Sequence, residues 1–249
     1  MVEDLRQLQK RFEELAARAD GRGRYTYTQF LTLAEQDVLQ KMSRQLSAPF
    51  CRMGGYETAE RCIACFGREE DLGYPPSCSI VCLSIAPASK KFAGDLGHRD
   101  FLGSLMGLGI ERRLLGDIQI VDGQAFLFCL EEIAPYICDN LVSVGRTTVH
   151  CEVCEPPAKL SEPPEPTELV VASERLDALI AAVWRLSRSD AQELLERGMV
   201  FIDGRLVESP SHNLKEGDLI SVRHQGRFRY EGMLRETKKG RLRVSVRIY

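Results

Sequence analysis

The segment between residues 174 and 222 constrains the fold most, because nearly every boundary in it carries a residue with a physical reason to be there. Leu176, Leu179, Ile180, Val183 and Trp184 recur at helical spacing, so 175–185 is predicted as one amphipathic helix. Ser187 stands at an N-cap position, where its hydroxyl can accept from amides left open by the first helical turn. Asp190, three residues on, is a weaker form of the capping-box partner. Ala191, Leu194 and Leu195 carry a second helix, and Gly198 ends it. Residues 199–202 read as a short strand, Asp203-Gly204 as a tight turn, and 205–207 as the returning strand. Gly217-Asp218 turns into a further strand over 219–223.

Arg175-Leu176-Asp177, Ser187-Arg188-Ser189, Ala191, Gly198, Asp203-Gly204 and Gly217-Asp218, taken together, resemble the S4-type RNA-binding domain. Arg175 and Arg188 lie at helix starts, where free amides and the helix dipole favour phosphate. The resemblance implies that Arg175, Ser187, Arg188 and Ser189 grip an RNA backbone.

The 249 residues suffice for one large domain or two to three small ones. No apolar run is long enough to span a bilayer, and the opening Met-Val-Glu-Asp lacks a signal-peptide pattern, so the expected location is cytoplasmic with no membrane partner. Nine cysteines without a signal peptide argue against a disulfide scaffold. Cys62/Cys65 and Cys151/Cys154 have the Cys-x-x-Cys spacing of half a zinc site. Cys62 and Cys65 are placed in a helical stretch, and Cys151 and Cys154 on opposite faces of a strand. Buried reduced thiols are therefore expected, with no metal and no cofactor. The net charge of −3 hides an asymmetry: residues 220–249 hold nine basic and two acidic side chains. A basic end on a nearly neutral chain fits local phosphate contact.

The fold class expected is α+β. Residues 1–75 form an N-terminal helical domain: Leu5, Leu8, Phe12 and Leu15 stripe the first helix, and a second starts near Thr32 with Glu35 as capping partner. Gly54-Gly55-Tyr56 and Glu60-Arg61 form a turn leading into another helix. Residues 76–154 follow the order βαββαβ of a ferredoxin-like or RNA-recognition-motif-like domain, with a hairpin turn at Asp122-Gly123. Phe126 and Phe128 share a face of its third strand, but the signature basic and glycine residues of an RNA-recognition motif are missing, so burial beneath the helices is expected. Lys90, Lys91, His98, Arg99, Arg112 and Arg113 flank the first helix of this domain and could form a second RNA surface.

His98-Arg99-Asp100 also invites an enzymatic reading, with Asp100 as catalytic group of an RNA-modifying enzyme such as a pseudouridine synthase, although the signature around that Asp is not met. Gly97-His98-Arg99-Asp100-Phe101-Leu102-Gly103, Gly107-Leu108-Gly109-Ile110 and Gly116-Asp117-Ile118, with Gly54-Gly55-Tyr56-Glu57 and Glu60-Arg61, are similar to the bacterial YlmH family. That resemblance covers nearly the whole chain. It implies a non-enzymatic RNA-binding protein, with ribosomal RNA, tRNA and the large ribosomal subunit as partners, acting in ribosome-associated quality control of stalled translation. A link to cell-division proteins is also implied, which makes a division scaffold a further alternative.

Residues 155–168 hold five of the eleven prolines, interleaved with Glu. They are expected as an extended, stiff linker reaching up to about 40 Å. The last domain, 169–249, adds a basic hairpin. Arg227 and Arg229 alternate with Phe228 and Tyr230, 237–240 make the turn, and Arg241, Arg243 and Arg247 alternate with apolar residues in the final strand. With Lys238 and Lys239 these arginines are expected to extend the RNA contact, provided they share a face and are not bound internally by carboxylates.

Overall fold

The computed structural model describes residues 2–77, 79–89, 96–161 and 164–249. It divides into two compact units, Met1–Ser161 and Glu162–Tyr249.

The first unit opens with helix α1 (Val2–Arg22), whose Phe12 and Leu15 are buried while Leu5, nearer its free end, is exposed. After β1 (Thr26–Tyr27), helix α2 (Leu33–Met42) starts on the expected capping box. Glu35 N donates to Thr32 Oγ1 at 3.4 Å, and Glu35 Oε2 accepts from Thr32 N at 2.7 Å. Strands β2 (Phe50–Met53) and β3 (Ile63–Phe66) complete a sheet in the order β1-β3-β2, followed by the short α3 (Glu69–Leu72). The helix expected after Glu60-Arg61 is therefore a strand. Cys65 lies in β3, and Cys62 bridges to Leu31 just before it. All four residues of β3 are buried, so its pattern is a continuous apolar run that periodicity cannot tell from a buried helix.

The middle of the unit runs β4 (Ile80–Pro87), α4 (His98–Gly107), β5 (Leu115–Val121), β6 (Gln124–Leu130), α5 (Ala134–Asn140), β7 (Ser143–Val144) and β8 (Thr147–Cys154). The sheet order is β5-β6-β4-β8-β7, antiparallel throughout, which is the ferredoxin-like arrangement with one added edge strand. Leu83, Ile85, Ala125, Leu127 and Cys129 face α4 and α5 through Phe101, Leu105, Ala134 and Ile137. Phe128 is fully buried, but not beneath those helices. It alternates with Leu127 and so points to the opposite face, where the Tyr56 ring stacks on it at 4.8 Å and 28°. That is the face on which an RNA-recognition motif stacks bases.

Helix α6 (Ala158–Ser161) interrupts the segment expected to be extended, and β9 (Pro166–Val171) draws its last residues into the second unit's sheet. There follow α7 (Leu176–Trp184), α8 (Arg188–Glu196), β10 (Val200–Ile202), β11 (Arg205–Leu206), β12 (Leu219–Val222), β13 (Gly226–Glu236) and β14 (Leu242–Ile248). The six strands are ordered β11-β10-β12-β13-β14-β9. Leu176, Leu179, Ile180, Ala191 and Leu195 of the helices pack on Ile220, Phe228, Tyr230, Val244 and Val246 of one sheet face. Asp203 (φ 50°) and Gly204 (φ 77°) both take the left-handed region, as the tight turn requires.

Candidate nucleic-acid interface

Two helix starts meet in the second unit. Arg175 is the N-cap of α7 and Arg188 the first residue of α8. Ser187 caps α8 reciprocally: its Oγ accepts from Asp190 N at 3.1 Å, while Asp190 Oδ2 accepts from Ser187 N at 3.2 Å. The Ser187 and Ser189 hydroxyls lie 2.7 Å apart, both exposed.

Beneath them sits Asp177, whose side chain is 0% exposed. It accepts from Arg175 Nε at 3.1 Å, from Arg188 Nη2 at 2.8 Å and from Gln192 Nε2 at 3.0 Å. The two guanidiniums are thus not free of carboxylates, contrary to the expectation. Yet one anion serves two cations, and the Arg175 and Arg188 side chains remain 38% and 51% exposed. Arg188 reaches Asp177 through Nη2, and about half of its side chain stays exposed. The cluster is held in place and keeps a net positive charge beside two helix N-termini. Burial would raise the Asp177 pKa, but hydrogen bonds from Arg175, Gln192 and Arg188 outweigh it and hold the carboxyl at about 2.

The arginine-lined face of the sheet, opposite the helices, behaves differently. Arg229 stands across from Arg247 and Arg235 from Arg243. Arg243 pairs with Glu168 at 2.7 Å, and Arg247 with Glu231 at 3.2 Å. Arg247 Nη1 also donates to Pro164 O. Arg227 is buried and lies over the Tyr249 ring at 5.7 Å. Two rungs of the expected phosphate ladder, Arg243 and Arg247, are therefore neutralised from within, because neighbouring strands bring Glu168 and Glu231 onto the same face. Arg241 precedes β14 and belongs to the turn, not to that face. Lys238, Lys239 and Arg241 are exposed at the turn, and no carboxylate pairs with them among the described residues.

Of the second predicted surface, Lys90 and Lys91 lie outside the described residues. Arg112 turns inward and donates Nη1 to Leu115 O at 2.7 Å and Gly116 O at 2.9 Å. Burial first, then the neighbouring Arg61, lowers its pKa to about 10. Arg113 pairs with Glu111 at 2.5 Å, so these two do not complete a free basic edge. His98 sits near Arg112, and burial followed by that charge lowers its pKa. Arg99 lines a hollow of about 540 Å³ with Ser104 and Asn140. Asp100, the catalytic alternative, accepts from Gly97 N at 2.8 Å and so caps α4.

One constellation was not anticipated. Asp117 accepts from Tyr56 Oη at 2.7 Å, Glu60 N at 2.7 Å and Arg61 N at 3.2 Å. Arg61 in turn donates to Leu115 O, Phe30 O and Arg112 O. The segments noted around Gly54, Glu60 and Gly116 thus converge in a latch between the first three-stranded sheet and β5. Tyr56 and Arg61 lie 61 and 56 positions from Asp117 along the chain, so only the fold brings these segments together.

The thiols of Cys151 and Cys154 point to opposite faces of β8, as expected. Cys151 lies 3.6 Å from Cys138 Sγ on the helix side, and Cys154 lies 3.8 Å from Cys82 Sγ on the other. Burial, then the neighbouring cysteines, pushes the Cys82 and Cys151 thiols up. Among the described residues no group of three or more His, Cys, Asp or Glu could hold a metal ion.

Residues 79–156 match the family described as an RNA-binding domain in YlmH, and residues 174–220 match the S4 domain. The S4 match covers both helix starts and the Asp177 cluster. Ribosomal protein uS4 of Dictyoglomus thermophilum is 36% identical over 55 residues, spanning 22% of this chain and 27% of that protein. A structure described as cell division protein ylmH from Streptococcus pneumoniae shares the fold, with TM-score 0.53, 18% identity, and coverage of 65% of this chain and 96% of that one. Ribosome-associated protein quality control protein P2 of Bacillus subtilis is 31% identical over 225 residues, covering 89% of this chain and 86% of its relative. An alignment of that extent, with the YlmH RNA-binding domain and an S4 domain in order along the chain, makes this protein a member of the YlmH family.

Proposed function

We propose that this protein binds structured RNA without altering it, docking on ribosomal RNA or tRNA of the large ribosomal subunit in the cytoplasm during quality control of stalled translation. The observation that carries this reading is the Asp177 cluster: two half-exposed guanidiniums fixed by one buried carboxylate at the starts of two helices. Such a site suits a folded phosphate backbone, since arginine can bind phosphate bidentately and the helix ends add their own positive potential. Ser187 and Ser189 supply hydroxyls beside it. The quality-control relative of B. subtilis supports the setting. Asp100 lines the hollow beside Arg99 but uses its Oδ2 to cap α4, which favours binding over chemistry in the middle domain.

The test is ribosome co-sedimentation. Arg188→Glu is expected to lower recovery with the large subunit at least tenfold at moderate salt, while Asp100→Asn sediments as the parent. Undiminished recovery of Arg188→Glu overturns the reading. Retention of protein partners after nuclease treatment would instead favour a division scaffold.

A further inference from the structure

The β13 strand outruns its neighbour. Strand β12 pairs with it only as far as Leu219↔Arg229, whereas pairing with β14 continues to Glu236↔Leu242. Backbone bonds join Tyr230 to Gly217 and Asp218, and Glu216 lies against Gly232, so the stretch left with one edge open is 233–236. Register shifts fall between Tyr230 and Gly232 and between Met233 and Arg235, so the edge is bulged. Along it Met233 and Leu234 are 52% and 50% exposed. Beside them stand Arg235, Lys238, Lys239 and Arg241, all exposed and none ion-paired among the described residues. This region lies beyond the S4 match, which ends at residue 220, and outside the 79–156 match.

We propose that this open edge and its turn form a second RNA site, separate from the helix starts, that takes the minor groove of base-paired RNA. The proposal rests on the reading of the protein as RNA-binding but not on the Asp177 cluster. Charge selects the partner class: from Met233 to Arg241 the strand and its turn carry Arg235, Lys238, Lys239 and Arg241 against the single acid Glu236, and Glu216 lies against the strand at Gly232. Added strands from a protein partner are disfavoured, because the bulges and the charged Arg235 and Glu236 on this edge block such pairing. Single-stranded RNA is disfavoured as well. Binding of unpaired bases relies on aromatic stacking, and residues 231–245 contain no aromatic side chain. An A-form minor groove is wide and shallow and exposes ribose surface between two phosphate rows. Met233 and Leu234 suit that surface, and Lys238, Lys239, Arg241 and Arg235 suit the rows.

The experiment is fluorescence anisotropy of the full chain on a short RNA duplex and on one of its strands, at several salt concentrations. Lys238→Ala/Lys239→Ala/Arg241→Ala should weaken duplex binding at least tenfold and reduce the slope of log affinity against log salt by about 2 to 3. Met233→Ser/Leu234→Ser should weaken it several-fold with the slope unchanged, and the single strand should respond little to either. Parental duplex affinity in both variants overturns the site. If Arg188→Glu alone abolishes binding, the helix-start reading stands and this one falls. If only the edge variants lose binding, the reverse holds. Loss of ribosome co-sedimentation with duplex affinity intact would assign the edge to a protein partner and likewise overturn the proposal.

Discussion

Arg188 Nη2 donates to Asp177 at 2.8 Å, across eleven residues of chain, and the same carboxylate holds Arg175 and Gln192. The buried acid thus sets the spacing of two cations that the S4 domain presents to solvent. Neutralising it should act on stability and on binding separately.

Asp177→Asn should lower the melting temperature of the C-terminal unit, since loss of one member of a buried charge cluster costs about 2 to 3 kcal/mol when its partners are partly solvated. RNA affinity should also fall, about three- to tenfold. Removing the negative charge favours phosphate slightly, but two released arginines each lose about 0.5–1.5 kcal/mol of preorganisation. Calorimetry and anisotropy at moderate salt check both; a rise in affinity would show that charge outweighs placement.

The same carboxyl gives a pH signature. Its folded pKa of about 2 lies below the unfolded value of 3.8, so its contribution is complete above pH 4 and is lost as pH falls toward 2. That contribution is about 2 kcal/mol. Acid unfolding of the Asp177→Asn variant should accordingly be shallower over this interval than that of the parent, as followed by circular dichroism.

Tyr56→Phe removes the hydroxyl that donates to Asp117 and accepts from Gln119 Nε2, both at 2.7 Å, and should cost about 1 to 2 kcal/mol. Gly55→Ala should cost more. Gly55 sits at φ 90°, and an added Cβ would lie 2.4 Å from the Phe128 ring. Neither change should alter affinity for RNA bound by the second unit; urea melts and anisotropy on the same samples check this.

Chelators should leave the melting temperature unchanged. Cys151 and Cys154 each contact a different cysteine on opposite faces of β8, so this pair cannot present two thiolates to one ion. Stoichiometric zinc release on denaturation would contradict this.

Local rules made much of the fold legible. The Thr32–Glu35 and Ser187–Asp190 caps, the turns at Asp122-Gly123 and Asp203-Gly204, and the order of strands and helices between Ile80 and Cys154 all rest on interactions within a few residues. So does the alternation that places Arg243 and Arg247 on one face. A strand takes the place of an expected helix at β3, where burial on both faces erases the period, and the region 1–75 expected to be helical also holds β1 and β2.

Tertiary structure alone decided which charges are available. Arg243 meets Glu168 75 positions away, and Asp117 meets Tyr56 61 positions away, through strand pairings that no local pattern encodes. The sequence determined by itself that this chain carries helix-start arginines, a basic hairpin and a ferredoxin-like middle. The folded chain decided that Asp177 fixes those arginines, that Arg243 and Arg247 on the sheet face are neutralised, and that the open edge of β13 is left charged. The physical reason is that a charge is neutralised by whatever acid lies within a few ångströms in space, and distance along the chain does not report it.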